Sequence, residues 1–359
     1  MNNEQTGAPR HDRSTTPPAN AADVRASAVQ TIGDRRVRID SPLPLQEWTP
    51  SEETVVEASG SWPRLELDRV WRFRELMYEL AWRDVQVRYK QTILGAAWAV
   101  IQPTLMMIVF TFFVGKFAKF STGGMPGPVF FYSGFLPWTL YSTGLSRSGN
   151  SVVGSVNLIT KIYFPRLIVP FAAMGPPIID FLVAIGVLGL LMAWYGIVPS
   201  AQILLAPVAV AVLVAAALAG GLFLAALNVS YRDFRYVIPF LVQLWMFATP
   251  AIFMDVTQLT TAAKGAETVA AADANGKATA SPETENAETA AAPAKPSRTT
   301  KWLMAVNPLN GIIAFFRAAT LGTPLPWMNF GIATAMVTTA LAASLFYYRR
   351  VEDTFADVI

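Results

Sequence analysis

The sequence predicts an all-α integral membrane protein with six helical spans, preceded by an amphipathic helix that lies in the membrane interface. Three observations carry this. Hydrophobic residues make up 53% of the 359 positions and charged residues only 15%, where a soluble domain carries about 25% charged residues. The charge is crowded into residues 1–90, residues 255–301 and the C-terminus, leaving long apolar runs between. The lysines and arginines near those runs alternate in density from one connection to the next.

A hydrocarbon core about 30 Å thick needs roughly 20 apolar helical residues. Six stretches meet or approach this: residues 95–114, 129–145, 168–194, 203–227, 237–254 and 327–348. The second and fifth are short and carry Pro137, Pro239 and Pro250, so readings with five or seven spans stay open. With the N-terminus inside, Arg83, Arg88, Lys90, Arg147, Lys161, Arg166, Arg232, Arg235, Arg349 and Arg350 lie on the cytoplasmic side, against Lys116 and Lys119 outside. This bias places both termini in the cytoplasm. Net charge is only +3, so the cations are accounted for by orientation rather than by nucleic acid.

Residues 1–67 are polar, with no apolar region of a secretory signal, and read as a disordered cytoplasmic tail. From 68 to 92 the pattern becomes helical. Arg72, Glu75, Glu79, Arg83, Gln86 and Lys90 recur at spacings of three and four and form one polar stripe, with Glu79 and Arg83 a favourable pair. The rest of the circumference carries Val70, Trp71, Phe73, Met77, Tyr78, Leu80, Trp82, Val85 and Tyr89, an apolar face suited to the headgroup layer. A small soluble helix is the alternative. Residues 93–254 hold spans one to five. Residues 255–301, rich in Ala, Thr and Glu, read as a flexible insertion outside the membrane. Residues 302–326 are interrupted by Pro308 and Gly311 and too broken for a good span. Residues 327–348 form the sixth span and 349–359 a cytoplasmic tail.

Much chemistry is excluded. The chain has no cysteine, and its one histidine, His11, lies in the polar tail. Thiolate zinc sites, cysteine nucleophiles and a Ser-His-Asp triad are therefore unavailable within one chain. No Asp-x-Asp cluster of a membrane glycosyltransferase is present. No phosphate loop is present either: Gly115-Lys116-Phe117 and Gly276-Lys277-Ala278 lack the preceding glycine and the following hydroxyl.

Three segments carry a resemblance. The first runs from Tyr89-Lys90-Gln91-Thr92-Ile93-Leu94-Gly95-Ala96-Ala97-Trp98 to Pro103. The second is Asn228-Val229-Ser230-Tyr231-Arg232-Asp233-Phe234-Arg235-Tyr236 with Pro239 and Gln243-Leu244-Trp245. The third is Asn307-Pro308-Leu309-Asn310-Gly311 with Phe316-Arg317. In this order and spacing, over about residues 69–348, they resemble the ABC-type polysaccharide-export permeases, which move O-antigen, capsular polysaccharide or teichoic acid. The resemblance implies a homodimeric exporter permease in the bacterial inner membrane, paired with two copies of a separate ATPase that holds ATP and magnesium. It implies no cofactor in this chain, and a lipid-linked polysaccharide as cargo. A drug or small-lipid exporter of the same architecture, and a non-transporting scaffold, are the rival readings.

The resemblance also assigns roles. Residues 147–166 correspond to a coupling segment seated in a groove of the ATPase, with Ser151, Val152, Ser155, Val156, Asn157, Leu158 and Ile159 as contacts. Residues 302–326 correspond to a re-entrant periplasmic gate with Asn307, Pro308, Phe316 and Arg317, the last contacting emerging polymer or a neighbouring gate helix; a plain loop is the alternative. Arg88 and Lys90 are candidates for the pyrophosphate of the lipid carrier, or simple anchoring charges. Trp98, Phe110, Phe113, Phe131, Tyr132, Tyr141, Trp245 and Phe247 are candidate conduit aromatics, because rings can stack on sugars while permitting sliding; facing lipid is the alternative. Asp180, in the third span, is costly alone and calls for a polar contact within the bundle, a direct transport role, or a proton relay that would need a second intramembrane carboxylate.

Overall fold

The computed structural model describes residues 67–90, 95, 97–113, 124–161, 164–231, 233–254 and 307–352, and among these all regular structure is helical. The N-terminal tail, the insertion at 255–301, most of the 91–96 entry motif and the two outer lysines Lys116 and Lys119 lie outside the described residues.

The amphipathic segment is not one helix but two, α1 (Leu67–Arg72) and α2 (Arg74–Lys90), with the break at Phe73. Its apolar circumference is shared between two environments. Leu80 and Val85 are buried, and Leu80 packs with Phe164, Ile168, Val169 and Ala172, while Trp71, Tyr78 and Trp82 remain exposed. Ala81 approaches Gly175 so closely that a Cβ at Gly175 would stand 2.9 Å from the Ala81 methyl. The helix is thus clamped to the bundle on one side and presents aromatic rings on the other. The expected Glu79–Arg83 pair does not form. Arg83 turns to its neighbour Asp84 at 2.9 Å, a shorter reach on the same exposed face.

The helices that follow are α3 (Ala97–Phe113), α4 (Gly127–Gly154), α5 (Val156–Ile159), α6 (Ile168–Ala172), α7 (Gly175–Trp194), α8 (Ala206–Ser230), α9 (Phe234–Phe247), α10 (Pro308–Leu321) and α11 (Trp327–Glu352). Among the described residues, three continuous apolar stretches are long enough to cross a membrane: Ile168–Trp194, Ala201–Ser230 and Trp327–Glu352, of 27, 30 and 26 residues. At 1.5 Å per residue each exceeds the hydrocarbon thickness of about 30 Å. The 17-residue α3 and the 14-residue α9 and α10 are apolar but shorter. The fifth predicted span, 237–254, is a helix only to Phe247, because Pro250 opens a separate short turn over Pro250–Ile252.

The axis of the bundle is the pair α4 and α8. Its close approach is made by small residues: a Cβ on Gly221 would stand 2.5 Å from the Ser148 Cβ, and Ala217, Ala225 and Ala226 are fully buried. Small-residue contacts of this kind let helices pack where apolar burial alone gives no net drive. The predicted second span, 129–145, continues without a break to Gly154. Its hydroxyls do not interrupt it, because Ser133, Thr139 and Thr143 donate to the carbonyls of Phe130 (2.8 Å), Phe135 (2.8 Å) and Thr139 (2.6 Å) within the same helix.

The region read as broken by Pro308 and Gly311 is a regular helix. Pro308 stands in the first turn, where its missing N–H is no loss. The Asn307 side chain caps that turn by accepting from the Leu309 N–H at 3.0 Å. Gly311 is the contact point with α11: a Cβ there would be 2.6 Å from the Asn329 carbonyl oxygen. Both residues are devices of helix start and helix packing rather than interruptions. The helix is nearly all buried. At 14 residues it is about 21 Å long, short of the hydrocarbon thickness. The sixth predicted span also extends, running past Tyr348 to Glu352.

Candidate functional sites in the bundle

The carboxylate of Asp180 on α7 is 7% exposed. Its partner is on α2: Arg88 Nη2 lies 2.7 Å from Asp180 Oδ2, and the Tyr89 hydroxyl donates to Asp180 Oδ1. Both acceptor oxygens are occupied, which is what a buried carboxylate requires. Burial first, and then the hydrogen bond to Asp180, push the Tyr89 phenol up to about 12, so it stays a neutral donor at ordinary pH. Arg147 on α4 shares the neighbourhood. Burial, then the Arg88 cation, lower its pKa, and Asp180 opposes them. Beside the pair lies a small cleft lined by Arg88, Gln102, Thr139, Thr143 and Asp180 among apolar side chains that include Pro103, Leu136 and Phe181. Arg88 is thus the ion-pair partner of Asp180, whereas Lys90 is exposed at the end of α2.

The 147–166 segment begins as the last two turns of α4 and continues as α5. Val152 is fully buried with Leu167, Leu222 and Tyr348, which corrects its assignment as a surface contact. Leu158 and Ile159 are half-buried and turn inward against the cluster of Leu80, Phe164 and Ile168. The outward positions are Gly154, Asn157, Thr160 and Lys161, with Ser151, Ser155 and Val156 half-exposed. The resemblance implied both polar and apolar contacts; the short helix uses Leu158 and Ile159 to hold itself to the bundle, and Asn157 is what it presents.

The aromatics divide in the same way. Phe131 and Tyr132 are fully buried, the Tyr132 hydroxyl donating to the Ala184 carbonyl at 3.1 Å. Both are packed inside this chain. Phe110 stacks on Phe253 with ring centres 4.8 Å apart, and Tyr141 lies beside Trp138. Trp98 on α3, Phe113 at its end, and Trp245 and Phe247 on α9 remain exposed.

Arg317 on α10, expected to contact emerging polymer or a neighbouring gate helix, is 6% exposed and packed within this chain. Its guanidinium sits over the Phe130 ring at 3.9 Å to the centroid and donates to Ser133 Oγ (3.3 Å) and the Ile252 carbonyl (3.2 Å). Phe316 is buried against Phe181. The asparagines of the second and third motifs are joints. Asn228 donates to the Gly149 carbonyl (3.2 Å) and Asn150 Oδ1 (3.0 Å). Asn307 donates to the Ala248 carbonyl (3.0 Å) and Thr249 Oγ1 (2.8 Å), and Asn310 accepts from the Ala251 N–H (3.2 Å). Sequence reading missed one site entirely. Arg166, next to α6, meets the end of α11, where its backbone N–H donates to Glu352 Oε1 at 3.0 Å.

Long apolar helices joined by buried polar contacts define a polytopic membrane protein. Comparison with known proteins gives the family. The model of the ABC-2 type transporters matches residues 75–257, from α2 to just beyond α9, and the chain belongs to that family. It is similar to an O-antigen export system permease protein, RfbA, of Myxococcus xanthus, 30% identical over 185 residues, or 51% of this chain and 70% of that protein. Two proteins of the same description from Klebsiella pneumoniae are 24% and 23% identical over 180 residues, half of this chain and 69% of each. Family membership makes this a transport subunit in a membrane and implies an ABC ATPase partner.

Proposed function

We propose that this chain is the permease subunit of an ATP-driven exporter that moves a lipid-linked polysaccharide of the O-antigen kind across a bacterial cytoplasmic membrane. The observation that carries the reading is the likeness to O-antigen export permeases from two organisms, beside the match of residues 75–257 to the ABC-2 type transporter family. In this reading six segments cross the membrane with both termini inside. Two copies of the chain pair with two copies of a separate ATPase, which holds the ATP and magnesium. Ser151 at the end of α4 and Ser155 after it, with Val156 and Asn157 of α5, seat on that ATPase, and the segment 302–326, which includes α10, forms the outer gate. The exposed rings of Trp98, Phe113, Trp245 and Phe247 serve the conduit between the copies, where the sugar slides over flat apolar faces. Lys90, with Arg88 when it leaves Asp180, meets the carrier's pyrophosphate.

The test is to delete the chain and follow lipid-linked polysaccharide by cell fractionation. Accumulation inside with loss of surface glycan, reversed by the intact chain, is the expected result. Unchanged surface glycan would overturn the cargo assignment in favour of a small lipid or drug. Absence of polymer in both fractions would point to synthesis or assembly instead.

A further inference from the structure

The last helix is fastened to the residues that follow α5. The Arg166 backbone N–H donates to Glu352 Oε1 at 3.0 Å, and the Arg166 guanidinium donates to the Glu352 main-chain carbonyl. The Tyr348 hydroxyl donates to the Arg166 carbonyl at 3.2 Å, and Arg349 holds the second carboxylate oxygen of Glu352 at 3.2 Å. The final carbonyls of a helix have no partner within it; here one of them is satisfied from a distant part of the chain. Glu352 and Tyr348 are both buried, so water competes little for these bonds. Beneath them, Leu345 and Tyr348 pack with Val152 and Leu167, and Ile159 of α5 packs at the edge of the same cluster. Hydrogen bonds from Arg166 and apolar contacts from Ile159 of α5 therefore both reach the end of α11.

We infer that Arg166 and Glu352 form a clasp that, with the packing of Ile159, makes α5 and α11 move together, so that displacement of α5 by an ATPase is carried into the last membrane helix. The inference rests on the reading of α5 as the coupling segment. Both are positioning residues, acting through the helices they join.

The experiment uses the whole permease–ATPase complex in proteoliposomes and reads ATP hydrolysis and glycan export separately. Glu352→Ala is expected to assemble and to hydrolyse ATP within about twofold of the unmodified complex, while export per ATP falls about tenfold, the size of a typical coupling between sites. Glu352→Gln keeps the acceptor for the Arg166 N–H and is expected to retain most of the export. The chain has no native cysteine, so Arg166→Cys with Glu352→Cys can be joined by a short bismaleimide. The open pair should be uncoupled, and cross-linking should restore export. Unchanged export per ATP in Glu352→Ala, or a cross-linked pair no better than the open one, would overturn the clasp. Failure of both Glu352→Ala and the cross-linked pair to assemble would make the bonds a folding requirement and overturn it too. An unmodified complex that hydrolyses ATP without moving glycan would bring down the export reading and the clasp with it, an outcome distinct from the others because no variant is involved.

Discussion

Two arginines hold this bundle together by different means. At the α2–α7 joint, Arg88 meets the opposite charge of Asp180 at 2.7 Å and keeps 27% of its side chain accessible, while the carboxylate keeps 9%. At the α4–α10 joint, Arg317 is solvated by the Phe130 ring, the Ser133 hydroxyl and the Ile252 carbonyl, and is 6% exposed. The first joint lies beside a small cleft lined by both partners, with room for a water molecule. The second is packed against a ring, a hydroxyl and a carbonyl. Pairing of charges suits a contact that can be exchanged; a cation fitted among dipoles and a ring suits a contact that stays.

Replacing Arg317 by Ala should therefore have the largest effect. It removes a ring–cation contact and leaves buried acceptors and a void, together about 4 kcal/mol of stability. Thermal unfolding of the purified protein in detergent measures it. Arg317→Lys should recover only part, since an ammonium lacks the planar fork that reaches the hydroxyl, the carbonyl and the ring at once. Full recovery with Lys would mean that charge alone is needed there, and the contrast between the joints would fail.

How much of each joint was legible in the sequence follows from the same contrast. A lone carboxylate within an apolar run demands a partner, and Asp180 was read as needing one. That the partner is Arg88 was not legible, because nothing local links the end of α2 to the middle of α7. Arg317 gave no such signal. It follows a Pro and a Gly that read as breaks, and only the fold shows that Pro308 starts a helix and Gly311 admits α11. The long apolar helices were legible from their hydropathy. The inward turn of Leu158 and the burial of Phe131 and Tyr132 were not, since hydropathy measures a residue's dislike of water and not which apolar neighbour it finds.

A double-mutant cycle on Arg88 and Asp180 sharpens the first half of the comparison. Asp180→Ala leaves a cation that can swing into the cleft, so the loss should be about 2 kcal/mol, below the full penalty of an unpaired buried charge. The double replacement by Ala should lose less than the sum of the single changes to Ala, by about 1–2 kcal/mol. Strict additivity in detergent unfolding would show that the two side chains do not interact. Tyr89→Phe should be milder, about 1 kcal/mol for one lost hydrogen bond. It also has a pH signature. The folded phenol is raised from 10.0 to about 12, so its contribution is complete below pH 10 and lost as the pH climbs through that window. The unfolding midpoint of the native chain should fall more steeply across it than that of Tyr89→Phe; equal slopes would remove the phenol from the joint.

The smallest expected effect is the control that gives the others meaning. Arg83 and Asp84 lie 2.9 Å apart, almost the separation of Arg88 and Asp180, on the same helix α2. They differ in burial: 52% and 32% of these side chains are accessible. In water the attraction is weakened by the dielectric and by salt, and two long side chains must be held still to gain it. Arg83→Ala should therefore change stability by no more than about 0.5 kcal/mol, and that little should vanish in high salt. A loss as large as that of Arg88→Ala would show that distance, not burial, sets the worth of an ion pair in this protein. The argument for Asp180 as a joint rests on the opposite: a carboxylate shielded from water needs Arg88 and Tyr89, whereas one bathed in it does not need Arg83.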